Sequence, residues 1–319
     1  MNLKKHFSKF LKFHAGKLHL SAHSHHFWPD CTEKAMRDYF YDSAKYSDKK
    51  WEVIFQKMQE LQKFISQAIN LKRPERLCFA PNTHELLTRV FSCFEGHIKP
   101  VKILTTDSEF NSFERQARRW EEVGQARVTR VPSLPIENFP QRLKEAAKKS
   151  EYDIIYFSHV FYNHGQMVNL DETFKDFPFK KAQVMVDGYH SYFTRPLDLS
   201  NFENDIFFLS GSYKYAMGGE GLCFMTVPDR FTLNPVNTGW FSEFSEIEKN
   251  KNENVAFPVG AERFRGSTID YTALYRCLSV FKWMQEINLT LEGIHRHVRE
   301  LQVEFLRTID QSSFLKKEK

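Results

Sequence analysis

The 319 residues hold no apolar run near the ~18 that a membrane-spanning helix needs, so no membrane is expected as a partner. Charge of one sign is missing too. The net charge of +5 comes from scattered residues of both signs, which leaves no basic face for nucleic acid. The five cysteines, at positions 31, 78, 93, 223 and 277, form no CxxC pair and no regular spacing. Reduced, mostly buried thiols in a cytoplasmic protein are the expectation. Internal repeats and low-complexity tracts are absent as well. What remains is an ordinary globular composition, 41% hydrophobic and 27% charged, in a chain long enough for one large domain and a smaller one.

The opening "MNLKKHFSKFLKFHAGK" is basic and amphipathic but carries no apolar core or small-residue cleavage site of a leader. A surface helix is expected there. Two helices follow, over about 31 to 46 and 49 to 70, and then the pattern alternates. Strand-like "LCFAP", "VKILTT", "ARVTRV", "DIIYFS", "QVMVD", "DIFFLS" and "LCFMTV" are interleaved in their first half with helical "SFERQARRWEEV" and "IENFPQRLKEAAKK". Such alternation predicts an α/β protein with a mainly parallel sheet. The expected organisation is an N-terminal segment over 1–50 at the mouth of the site, a large domain over 51–255 and a C-terminal helical region over 256–319. Ligands of such sheets bind beyond the carboxyl ends of the strands, which makes the residues just after each strand the candidates for a site.

Five strand ends carry chemistry. "SGSYKYAMGGEG" places Lys214 after "DIFFLS", between tyrosines and glycines. A lysine desolvated there loses basicity and becomes a nucleophile suited to Schiff-base formation, whereas on a surface hairpin it would be ordinary. "QVMVDGYHSY" offers Asp187 and His190. A carboxylate closing an apolar strand needs a cation or a protonated nitrogen, unless it caps the next segment. "APNTHELL" puts Asn82, Thr83 and His84 at a helix start, which suits a phosphate and also reads as a cap. "TTDSEFNSF" supplies Phe110, to stack on a planar ligand or to join the core, and Ser112; "DIIYFS" ends in Ser158. A lysine, a carboxylate, a phosphate-binding helix start and a stacking aromatic together compose a site for pyridoxal 5'-phosphate.

These segments resemble the class V aminotransferase group of fold-type-I pyridoxal phosphate enzymes, and within it kynureninase most. The likeness runs from "LHLSAHSHHFWP" to about Glu286. The family's "SYKY" is matched by Ser212 to Tyr215, which implies Lys214 as the Schiff-base lysine with Tyr213 beside it. Its D-x-x-H is matched by Asp187 and His190, which implies Asp187 as the partner of the pyridine nitrogen, with His190 beside it in the cofactor site. "FSHVFYNHGQ" carries over Ser158, "FNSF" carries over Phe110 and Ser112, and Thr83 matches a phosphate-contacting threonine. Trp240 in "GWF" and Thr268 in "RFRGST" match residues that reach across from a second subunit, so the resemblance implies a homodimer with shared sites.

Three departures accompany it. Phe113 stands where the family has an aspartate, and Thr268 where kynureninases have an asparagine. The family's C-terminal arginine for the substrate carboxylate has no match, which makes Arg263 or Arg265 the expected substitute, or the C-terminal part shortened. His23, His25 and His26 have metal-like spacing without a second ligand group, and "MGGEG" lacks the ending of a phosphate loop.

The resemblance implies an enzyme acting on a small amino acid substrate. Hydrolytic Cβ–Cγ cleavage, transamination or a related lyase reaction, and a catalytically impaired protein that keeps the fold all stay open. Cysteine desulfuration is disfavoured, because no cysteine falls in a position resembling that family's reactive loop.

Overall fold

The computed structural model describes residues 3–94, 99–244 and 254–311; the charged "LKKEK" tail lies outside them. Seven strands form one sheet: β1 (Leu77–Ala80), β2 (Val101–Thr106), β3 (Ala126–Val131), β4 (Ile154–Ser158), β5 (Gln183–Asp187), β6 (Ile206–Gly211) and β7 (Cys223–Thr226). Their order across the sheet is β1-β7-β6-β5-β4-β2-β3. Pairings from β6 through β3 are parallel, while β7 runs antiparallel to both β1 and β6. The fold is thus the α/β, mainly parallel arrangement that strand–helix alternation predicts.

The central strands read as unbroken apolar runs because helices cover both faces of the sheet. Every residue of β4 and β6 is buried. Alternate residues then feed opposite cores. Phe157, Val184, Val186 and Phe208 join a cluster with α3 (Lys50–Ala68) and α8 (Thr272–Glu286). Tyr156, Met185, Phe207 and Leu209 join one with α4 (Thr83–Ser92) and α5 (Asn111–Glu122). The period-2 geometry of a strand needs no more than this to build two cores from one sheet.

Four further helices precede the last one of the described chain: α1 (Ser8–Phe13), α2 (Cys31–Tyr46), α6 (Phe139–Lys149) and α7 (Leu170–Phe174). The expected N-terminal surface helix is α1, preceded by a turn of 3₁₀ helix over Lys4–Phe7. Helix α2 packs along α8, and α9 (Leu291–Gln311) extends from the end of α8 with most of its surface exposed. Among the described residues no helix is long and apolar enough to cross a membrane. All five cysteines are free thiols, four of them buried.

Candidate active site

The carboxyl ends of β5 and β6 meet the start of α4 around a cavity of about 240 Å³. It is lined by Thr83, Phe110, Ser112, Asp187, His190, Tyr213 and Lys214, seven of the ten residues expected from the sequence.

Lys214 stands three residues past β6, in the turn that reverses the chain into β7. The glycines make that turn possible. Gly219 has φ +71°, and a Cβ on it would come within 2.5 Å of the Trp28 ring. From α8, the Arg276 Nε donates to the Gly218 carbonyl at 2.9 Å, its Nη2 donates to the Glu220 carbonyl, and its guanidinium lies over Trp28. The lysine is therefore held from outside the sheet as well as by it. Its Nζ contacts His190 Nε2 and faces the rings of Tyr189 and Phe110, 4.8 Å and 5.1 Å from their centroids. Burial pulls its pKa down to about 8, against smaller upward pulls from Asp187 and Cys223. Burial, and then the lysine's charge, push His190 down to about 4, so the imidazole is neutral at pH 7 and offers a lone pair.

Asp187 closes β5, buried. Its two oxygens accept from the Tyr156 hydroxyl at 2.8 Å and the Tyr189 amide at 2.9 Å. Both donors are neutral, and no ion pair reaches this carboxylate among the described residues. Burial raises its pKa, while these two hydrogen bonds and the Lys214 charge oppose the rise. A buried carboxylate facing a cavity and lacking a cation fits a protonated pyridine nitrogen. Phe113, the departure from the family's aspartate, stacks on Tyr156 with centroids 3.8 Å apart and so steadies the hydroxyl that holds Asp187. At the other side of the cavity, both readings of "PNTHE" hold together. Asn82 caps the Glu85 amide at 2.8 Å, and the start of α4 with the Thr83 side chain lines the cavity.

Three expected residues lie elsewhere. Ser158 does not line the cavity: its hydroxyl donates to Glu109 Oε2 at 2.6 Å, and its amide to Oε1 at 3.2 Å. Trp240 and Thr268 are exposed and bonded to each other, Nε1 to Oγ1 at 3.2 Å. Arg263 and Arg265, one of the two alternatives for the substrate carboxylate, do not line this cavity. Arg263 donates to the Gly260 and Leu233 carbonyls, and Arg265 pairs with Glu262 at 2.9 Å, both away from the cavity. Among the described residues no three histidine, cysteine, aspartate or glutamate side chains are grouped to hold a metal ion.

Glu109 escaped the sequence reading, although the signal that marked Asp187, a carboxylate just past an apolar strand, was there in "VKILTTDSE". It is fully buried against Ser158 and Thr106, and burial raises its pKa to about 7 from an ordinary 4.5. Between those two values the folded protein keeps a proton that the unfolded chain has released. Stability from this group is therefore present below about pH 4.5 and is lost as pH rises through about 7. Glu109→Gln is expected to match wild type in thermal unfolding near pH 4 and to exceed it at pH 8 by about 3 kcal/mol. Equal stability at pH 8 would show that the ionised carboxylate costs nothing where it sits.

A family profile described as aminotransferase class-V matches residues 28–318. The chain belongs to the class-V aminotransferases. Class-V enzymes use pyridoxal phosphate, and the carboxylate, lysine, aromatic ring and helix start described above fit that cofactor. Isopenicillin N epimerase of Streptomyces clavuligerus is 28% identical over 179 residues, 53% of this class-V chain and 44% of the epimerase. The match thus spans less than half of that relative's length. Among solved structures, a C-DES variant with glycine covalently linked to its pyridoxal phosphate superposes with a TM-score of 0.80 at 20% identity, over 97% of this chain and 80% of that one. The cysteine desulfurase of Thermococcus onnurineus NA1 follows at 0.67 and 17%, over 91% and 72%. A cysteine desulfurase of Escherichia coli gives 0.72 at 13%, over 91% and 73%. At these identities the likeness is one of fold, and it confirms the class-V architecture expected from the motifs.

Proposed function

We propose that this class-V enzyme cleaves an α-amino acid with an aromatic side chain at the bond beyond Cβ, by hydrolysis as in kynureninases. The observation that carries the reading is Lys214, a desolvated amine in one cavity with a carboxylate that has no salt-bridge partner, Asp187, and a neutral imidazole, His190. Bound there, pyridoxal phosphate supplies an electron sink for charge developing on the substrate's α carbon. Asp187 would hold the pyridine nitrogen in its protonated form, and the amides at the start of α4 with Thr83 and Ser112 would hold the phosphate. Phe110 would cover the ring face, with Tyr213 beside the lysine. Lys214 Nζ would carry the cofactor, and as a free amine it would take the proton from the substrate's α carbon; a pKa of about 8 lets it accept and return that proton near neutral pH. His190 Nε2 accepts from Nζ and orients it.

Trp240 and Thr268 would complete the phosphate end of a second copy's site in a homodimer. Their exposure and their mutual hydrogen bond support that assignment. Desulfuration through a protein thiol is disfavoured further by the cysteines themselves. Burial raises Cys78, Cys93 and Cys223 to about 12 and Cys277 to about 11, and Cys31 is raised as well.

The test is to titrate the visible absorption band of the lysine-bound cofactor with amino acids and to assay the products. Anthranilate from kynurenine supports hydrolytic cleavage. Conversion of the cofactor to its amine form, with release of a keto acid, would replace it by transamination, and a band that no amino acid perturbs would make the protein catalytically impaired.

A further inference from the structure

A second and larger cavity, about 770 Å³, shares His190 with the Lys214 cavity and lies beneath the start of α9. Its walls include Phe7, Met167, Phe193, Met217, Trp283 and Leu289, an apolar surface broad enough for an aromatic ring. One half-buried cation faces it from the large domain, Arg195, on the segment that follows β5 and His190. Its guanidinium Nη1 donates to the thioether sulfur of Met167 at 3.3 Å, and no carboxylate pairs with it among the described residues. A guanidinium has five donors in a planar fork, and a thioether is a weak acceptor, so most of that capacity is unspent. The other ionised groups on the lining, Arg296, Arg299 and Glu300, sit on the exposed stretch of α9. His295, from the same helix, contacts the Thr194 carbonyl at 3.3 Å and ties α9 to the residue beside Arg195. Nearby His26 and His190 are both held below the ordinary histidine pKa by burial, so they do not compete for an anion at pH 7.

We propose that Arg195 binds the substrate's carboxylate, the role that neither Arg263 nor Arg265 fills, and that the apolar wall of this cavity receives the substrate's aromatic side chain. The inference rests on the reading of the Lys214 cavity as the cofactor site. A carboxylate here meets a bidentate donor in a place where water is partly excluded, the setting in which charge-assisted pairs are strongest. The arrangement selects acids over amides and amines.

The test is calorimetric binding of 3-phenylpropanoate, an amine-free acid that cannot react, and of neutral 3-phenylpropanamide, to the cofactor-loaded protein. Wild type is expected to bind the acid and to discriminate against the amide. Arg195→Met, which keeps the packing against Met167, is expected to weaken acid binding roughly 10- to 100-fold, leaving the amide and the visible band of the bound cofactor unchanged. Arg195→Lys should fall between. Equal acid binding by wild type and Arg195→Met, or no preference of wild type for acid over amide, overturns the assignment. A normal visible band with acid binding indifferent to position 195 defeats this inference alone. Absence of the band in wild type defeats the cofactor reading, whatever the acid does.

Discussion

Lys214→Ala is expected to remove the visible band of the lysine-bound cofactor and to lower kcat/KM by ~10⁴-fold or more, the scale of deleting a group that is both nucleophile and base. The structural cost should be small by comparison, because the side chain ends in a cavity and Arg276 holds the turn through backbone carbonyls. Lys214→Arg should fail equally, since a guanidinium keeps the charge and loses the nucleophile. The same residue sets a pH dependence. With its pKa at about 8 instead of 10.5, the neutral amine at pH 7 is about 300-fold more abundant than an unperturbed lysine would supply. Capture of pyridoxal phosphate by cofactor-free protein should therefore rise about tenfold from pH 6 to pH 7 and level off above about pH 8, followed by stopped-flow absorbance. A capture rate that keeps climbing to pH 10 would mean that burial does not lower this amine.

Asp187→Asn is expected to act in two opposite directions. Leaving the protonated pyridine nitrogen without its counter-charge forfeits the ~3–5 kcal/mol typical of breaking a buried pair, or a factor of about 10²–10⁴ in kcat/KM. The cofactor-free protein, however, should become more stable. Burial raises the Asp187 pKa, so this group's stabilising share is present at acid pH and is lost as pH rises through the folded value. An amide escapes that loss: its oxygen can accept from the Tyr189 amide while its NH2 donates to the Tyr156 hydroxyl oxygen. Thermal unfolding of cofactor-free protein at pH 8, set beside activity, tests both halves. A variant that loses activity and stability together would make Asp187 a structural residue.

Much of this was legible in the sequence because buried parallel strands announce themselves. "DIIYFS", "QVMVD" and "DIFFLS" are apolar throughout, and each leads to a polar residue that a two-faced core would not tolerate without purpose. Lys214, Asp187 and His190 stand out by that reasoning alone. Strand partners are less legible, since period-2 patterning says which face a residue takes and nothing about its neighbour. The antiparallel seat of β7 between β1 and β6 could be learned only from the fold. Side-chain commitments were hidden for the same reason. Ser158 looks free at a strand end until Glu109, 49 positions earlier in the chain, is seen to occupy it. Arg263 and Arg265 look available until nearby backbone and Glu262 are found to use them. Arg195 belongs to no motif; only the cavity it faces marks it.

The seating of β7 also dictates the order of events at birth. Cys78 donates to the Met225 carbonyl across 147 positions of chain, and the strand bearing that carbonyl follows directly on the turn that carries Lys214. Pairing at such separation is slow and waits for the distant partner. On the ribosome, β1 therefore leaves the exit tunnel as an unpaired strand and stays so at least until β7, at residues 223–226 of the 319, has been made. The turn that carries Lys214 is therefore closed only when this late pairing has formed on both of its sides.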